Sequence, residues 1–161
     1  MKIIALGDSF TEGFLVDKSY AGYLEDYGHQ VINLGINGNR TKEMLARFKP
    51  EEADLLIVFG GSNDTFDAIS SEEIFKNLKE ILAKSKADRN LVIIPPLMEL
   101  EEAYPEYEIN NNTINALGDL IKSLDVDVVD AREIDPSYYT DGLHMKADFH
   151  KKLADKILQT I

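Results

Sequence analysis

Short, mostly apolar runs alternate along this chain with longer stretches in which apolar residues return every three or four positions. The runs cover residues 2–6, 30–34, 54–59, 90–94 and 126–129, and the first four stop at Gly7, Gly35, Gly60-Gly61 and Pro95-Pro96. Runs of that length closed by glycine or proline predict β-strands, and their near-continuous apolar character suits strands covered on both faces. The intervening stretches read as helices. Tyr20, Tyr23, Leu24 and Tyr27 share one face, with Gly28 as the stop. The same spacing recurs in Ile74, Phe75, Leu78, Ile81 and Leu82, then in Ile114, Leu117, Ile121 and Leu124, and last in Phe149, Leu153, Ile157 and Leu158. Ser70-Ser71 ahead of Glu72-Glu73 has the form of a helix N-cap followed by an acidic first turn. Residues 40–48 predict a shorter helix.

Strand–helix alternation from end to end implies an α/β fold: a parallel sheet with right-handed crossovers and helices on both faces. The expected architecture is a flavodoxin-like three-layer α/β/α sandwich with five strands in the order 2-1-3-4-5. The 161 residues suit one domain spanning 1–161. In such sheets ligands bind beyond the carboxyl ends of the strands, near the point where strand order reverses. Residues able to do chemistry should therefore cluster just after strands.

They do. The first strand runs into Gly7-Asp8-Ser9-Phe10, the second into Gly35-Ile36-Asn37-Gly38, and the third into Gly60-Gly61-Ser62-Asn63-Asp64. Asp141-Gly142-Leu143-His144 precedes the final helix. A serine hydroxyl becomes a nucleophile only when a base takes its proton, and His144 is the candidate base for Ser9. Asp141, three residues earlier, can fix the imidazole tautomer and leave the other ring nitrogen free. Acyl transfer also needs donors where the carbonyl oxygen becomes anionic. The backbone N–H groups of Ser9 and Gly38 and the side-chain amide of Asn63 are the candidates. Each residue has a plainer reading: Gly-Asp-Ser as a turn or N-cap, Asp141-Gly142 as a turn capped by His144, Gly38 and Asn63 as turn formers. Of the other histidines, His29 sits in a helix–strand turn, and His150 lies in the last helix, where it is expected to face solvent.

Composition narrows the chemistry. The chain has no cysteine, which excludes thiol catalysis and cysteine-ligated metal, and it fits a reducing cytoplasm. Acidic residues outnumber basic ones 29 to 17, a formal charge of -12, with no basic patch to attract nucleic acid or an anionic membrane. The N-terminal apolar run is too short for a signal peptide or a membrane span, so a cytoplasmic protein is expected.

In these blocks the sequence resembles the SGNH (GDSL-like) hydrolases, whose four blocks carry Ser, Gly, Asn and His in that order. Gly7-Asp8-Ser9 matches the first block, with Phe10 where the family's name has Leu. Gly38 within Asn37-Gly38-Asn39-Arg40-Thr41 resembles the second, Gly61-Ser62-Asn63-Asp64 the third, and Asp141-Gly142-Leu143-His144 the fourth, followed by Met145 rather than Pro. The resemblance implies a serine hydrolase without metal or cofactor, acting on small-molecule esters, thioesters or O-acetyl sugars.

Phe10, Phe14, Leu15, Val16, Phe66, Leu97, Met98, Tyr138 and Tyr139 all fall near the same strand ends. They suit either an acyl site or ordinary packing. The absence of a long insertion predicts an open site for a short acyl group, and the acidic stretch 99–102 a solvated loop. The rival reading is a flavodoxin-like module whose Ser9-Phe10-Thr11-Glu12-Gly13 loop holds the phosphate of FMN; it leaves Asn63, Asp141 and His144 without a role.

Overall fold

Strands β1 (Lys2–Gly7), β2 (Gln30–Gly35), β3 (Glu52–Phe59), β4 (Lys86–Ile94) and β5 (Asp127–Asp130) pair in parallel in the order β2-β1-β3-β4-β5. The computed structural model describes all 161 residues. Alternate residues of each strand point to opposite faces, and each face has its own core. On one, Ile3, Ala5, Leu55, Ile57 and Phe59 meet Tyr20 and Leu24 of α2 (Tyr20–Asp26) and Phe149, Leu153 and Ile157 of α7 (Ala147–Thr160). On the other, Ile4, Leu6, Leu56 and Val58 meet Met44 of α3 (Thr41–Arg47), Ile74, Leu78 and Ile81 of α5 (Ser71–Lys84), and Leu117 and Ile121 of α6 (Glu106–Ile121). These are the periodic residues of the sequence, so the helical stripes and the strand alternation face one another across two layers. Ser70 caps α5, its side chain accepting from the N–H of Glu73. No helix is long and apolar enough to cross a membrane.

Three features differ from the sequence pattern. β4 starts at Lys86, four residues before its apolar run, because Glu52 and Ala53 of β3 pair with Lys86 and Ala87 through the backbone alone. A ladder built from main-chain groups leaves little hydropathy signal where one face is wet and the other turns only Ala53 and Ala87 to the core. β2 is an edge strand and only half-buried, rather than covered on both faces. Two single-turn helices, α1 (Ser9–Glu12) and α4 (Ser62–Phe66), follow β1 and β3 directly. They are too short to show a period, and they carry the candidate chemistry.

Candidate active site

Ser9 is set by the way β1 ends. Asp8 caps α1, its carboxylate Oδ1 accepting from the N–H of Phe10 at 3.1 Å. Phe10 goes into the core, stacked on Phe59 at 5.1 Å, which fixes the turn from below. Gly13, with φ +93°, ends the helix by donating to Ser9 O. Gly35 lets this turn sit on the end of β2: a Cβ there would come within 2.0 Å of the Glu12 nitrogen. The side chain of Ser9 is 4% exposed and opens at the carboxyl end of the sheet.

The loop before α7 brings the base. Asp141 Oδ1 accepts from the N–H groups of Leu143 at 3.0 Å and His144 at 2.9 Å, a local turn that Gly142 completes at φ +64°. The other oxygen, Oδ2, lies 2.5 Å from His144 Nδ1, and His144 Nε2 lies 3.1 Å from Ser9 Oγ. The tautomer that satisfies both contacts carries its proton on Nδ1 and accepts from Ser9 through Nε2. Burial works to raise the Asp141 carboxyl, but the His144 hydrogen bond and the two backbone donors outweigh it and hold the pKa below the usual 3.8. The aspartate is thus kept as an anion.

Neighbouring residues hold this loop in place. Tyr107 Oη donates to Asp141 O at 2.7 Å, Glu99 N–H to Gly142 O at 2.8 Å, and Tyr139 N–H to His144 O at 2.8 Å. Tyr139 Oη also donates to Leu15 O at 2.5 Å, tying the base loop to the chain after α1. Leu15 sits there at φ +68°, a costly conformation for a branched side chain that the clamp helps maintain. The ring of Phe14 packs against His144 at 4.8 Å. Nothing in the sequence pointed to Tyr107, and it brought Leu15 and Tyr139 near the site without pairing them, since each contact joins residues far apart in the chain.

The candidate donors follow the ends of β1, β2 and β3. Asn63 Nδ2 donates to Asn39 O at 3.0 Å and makes a long 3.4 Å contact with Asp8 Oδ2. One of its two protons is therefore held and the other is weakly engaged. The N–H of Gly38, in the adjoining turn at φ +78°, donates to no group in the protein. That of Ser9 lies in a first helical turn, where intrahelical acceptors are lacking. Asp64 supports the turn from behind, accepting from Thr41 N at 3.0 Å and Thr41 Oγ1 at 2.6 Å. Asp8 is also buried, and burial, with some repulsion from Asp64, pushes its carboxyl up to about 7 against the pull of the Phe10 N–H.

Ser9, His144 and Asp141 are thus joined, while Asn63 reaches Asp8, the neighbour of Ser9, and Asn39, the neighbour of Gly38. His29 is elsewhere, its Nδ1 beside the N-terminal amine. His150 corrects the expectation of a solvent-facing residue: it is 1% exposed, and its Nδ1 accepts from the N–H of Tyr20, joining α7 to α2. Burial, reinforced by His144, drives its pKa down to about 4, so it is neutral, and its hydrogen bond is to Tyr20 rather than to Ser9. Phe10 and Met98 belong to the core, whereas Phe14, Leu15 and Phe66 are exposed at the rim. No group of three or more histidine and acidic side chains is arranged to hold a metal ion. Clefts of about 340 Å³ beside Glu12, Lys18 and Asp26, and of about 300 Å³ between α3 and α5, include neither Ser9 nor His144. The chemistry therefore lies outside both of these hollows.

The sequence pattern of the GDSL-like Lipase/Acylhydrolase family matches residues 5–152. A comparison with curated protein sequences gave no significant match. Among solved structures, an inhibitor-bound aryl esterase from M. smegmatis superimposes with a TM-score of 0.78 at 19% identity, covering 99% of each chain. A member of the lipolytic protein G-D-S-L family from Veillonella parvula does so at 0.82 and 16%, covering 100% of this chain and 98% of that one. A carbohydrate acetylesterase from Sinorhizobium meliloti gives 0.70 and 19%, with 99% of each chain covered. At these identities the superpositions speak for a shared fold. The family match goes further: it runs from β1 into α7 and takes in every block described above, and the chain belongs to the GDSL-like lipase/acylhydrolase family of carboxylic ester hydrolases.

Proposed function

We propose that the protein hydrolyses short-chain carboxylic esters through an acyl-enzyme formed on Ser9. The observation that carries the reading is the continuous hydrogen-bonded line from Ser9 Oγ through His144 to Asp141. As Ser9 Oγ attacks the ester carbonyl, its proton passes to His144 Nε2, and Asp141 stabilises the imidazolium that results. The carbonyl oxygen, now anionic, is received by the N–H groups of Ser9 and Gly38 and by Asn63 Nδ2. Collapse of the tetrahedral intermediate expels the alkoxide, which takes the proton from His144 and leaves as the alcohol. Water, deprotonated by the same nitrogen, then attacks the acyl-enzyme, and His144 returns that proton to Ser9 Oγ as the acid is released.

Acetyl is the acyl group the site favours. The ring of Phe14 occupies space against His144, and the clefts of about 340 and 300 Å³ beside the neighbouring helices do not reach Ser9. The carbohydrate acetylesterase among the structural neighbours fits that preference. The rival reading of an FMN phosphate loop at residues 9–13 is not supported: Ser9 Oγ is engaged by His144, and the family is one of acylhydrolases.

A panel of p-nitrophenyl esters from acetyl to octanoyl, with an acetylated sugar and an acyl-CoA thioester, tests the proposal. Acetyl compounds should turn over fastest, and Ser9→Ala should fall to the buffer rate. Wild-type protein inert toward the whole panel, or undiminished turnover by Ser9→Ala, would overturn it.

A further inference from the structure

A half-buried cation stands beside the loop that carries Gly38 and Asn39. Arg47, at the last turn of α3, points back under the ends of the first two strands. Its Nη2 donates to Gly7 O at 2.9 Å and to Leu34 O at 2.7 Å, and its Nε donates to Asn39 Oδ1 at 2.6 Å. None of the molecule's ion pairs includes it. An arginine partly withdrawn from water is commonly paired with a carboxylate. This one faces neutral oxygens only, so its charge is not cancelled locally.

Those three acceptors are the anchor points of the donor cluster. Gly7 lies two residues before Ser9, and its carbonyl also accepts from Ile36 N–H at 3.1 Å, at the start of the loop that leads to Gly38. Asn39 follows Gly38, and while its side chain is held by Arg47 its own carbonyl accepts from Asn63 Nδ2. A single planar fork therefore sets the end of β1, the end of β2 and the loop that orients both Gly38 and Asn63. A lysine ammonium is a point donor and cannot span the same three oxygens with that geometry.

We propose that Arg47 is the positioning residue of the oxyanion site, acting through Asn39 on Gly38 and Asn63. It touches no substrate. It holds the donors at the place where the carbonyl oxygen becomes charged, and its uncompensated positive charge lies behind them. The role rests on the ester-hydrolase reading. It predicts that loss of Arg47 lowers kcat rather than raising KM, because donors placed for the transition state contribute little to ground-state binding.

The test is a double-mutant cycle on the full chain with p-nitrophenyl acetate, using Arg47→Met, Arg47→Lys, Asn63→Ala and the Arg47→Met/Asn63→Ala pair. Arg47→Met should reduce kcat by roughly 10²-fold, the scale of a misplaced catalytic group, with KM little changed. Arg47→Lys should recover only part of the loss. If Arg47 works through the donors, adding Arg47→Met to Asn63→Ala should cost much less than it costs alone. Additive losses would overturn the proposal, as would a lower Tm with normal kcat in the folded fraction. Should Arg47→Met fail to fold, the same cycle run with Arg47→Lys decides the matter on the same criterion. An inactive wild type would instead remove the hydrolase reading, whereas an active wild type with indifferent Arg47 variants would remove this inference alone.

Discussion

At the scale of single residues, Asp141 and Asn63 make separable predictions because they act on different atoms. Asp141 Oδ2 accepts a hydrogen bond from His144 Nδ1, and Oδ1 holds the loop backbone. Asp141→Asn can keep a backbone acceptor but presents an amide to the imidazole, which favours the wrong tautomer. Activity should fall by roughly 10⁴-fold with the fold intact; near-normal kcat in a folded variant would contradict the assigned role. Asn63→Ala leaves the Ser9–His144–Asp141 line untouched and removes one donor. Its kcat should fall by roughly 10²–10³-fold with a smaller change in KM. If Asn63 only shapes its turn, Tm will fall instead and the folded fraction will keep normal kcat. The candidates Ser9, Gly38, Asn63, Asp141 and His144 could be picked out of the sequence because each follows a strand or precedes a helix within a short block. Arg47 and Tyr107 were not, since an arginine and a tyrosine on amphipathic helices look like ordinary surface residues until distant chain segments meet them.

At the scale of elements, the fit of α1 against β2 decides where Ser9 stands. Gly35→Ala would drive a methyl group into the Glu12 backbone, and a backbone cannot move aside as a flexible side chain can. The variant should lose both stability and esterase activity, with circular dichroism melts and turnover as the readouts; an active, normally stable Gly35→Ala would show that the contact relaxes harmlessly. The α2–α7 junction makes a prediction about pH. His150, buried and depressed to about 4, binds its proton more readily in the unfolded chain than in the folded one. Its share of stability is present above the unfolded value of ~6.5 and is lost as pH falls toward 4, on the order of 3 kcal/mol. Asp8 acts with the opposite sign. Its carboxyl is raised to about 7, so stability is lost as pH rises from about 4 through 7. The two slopes offset one another in wild type, and His150→Gln should unmask the second. Its Tm deficit relative to wild type should be largest at pH 8 and shrink toward pH 4.5. Parallel Tm curves for the two proteins would count against the buried, neutral histidine. The strand and helix order was readable because α2, α5, α6 and α7 carry clear stripes; the starts of β3 and β4 and the one-turn helices α1 and α4 were less so, because main-chain pairing and capping carry them instead of hydropathy.

At the scale of the whole molecule, the chain carries a formal charge of -12. Glu99 and Glu101 both lie against Gly142 in the His144 loop, and Glu12 receives the N–H of Asn37 close to Gly38. An ester with a free carboxylate should therefore have a lower kcat/KM than its neutral isostere at low salt. The gap should narrow toward 1 M salt, where the screening length falls to about 3 Å. A salt-independent ratio would place the discrimination in direct contacts instead. The central claim, an acyl-enzyme on Ser9, does not depend on knowing the substrate and is tested most directly by covalent trapping. A fluorophosphonate reacts with a serine whose proton has been taken by a base, so the protein should gain one adduct per chain. Peptide mapping should place it on Ser9, and His144→Ala should slow the labelling severely while His29→Ala leaves it unchanged. Adduct formation on another residue, or labelling of wild type no faster than of Ser9→Ala, would contradict the account.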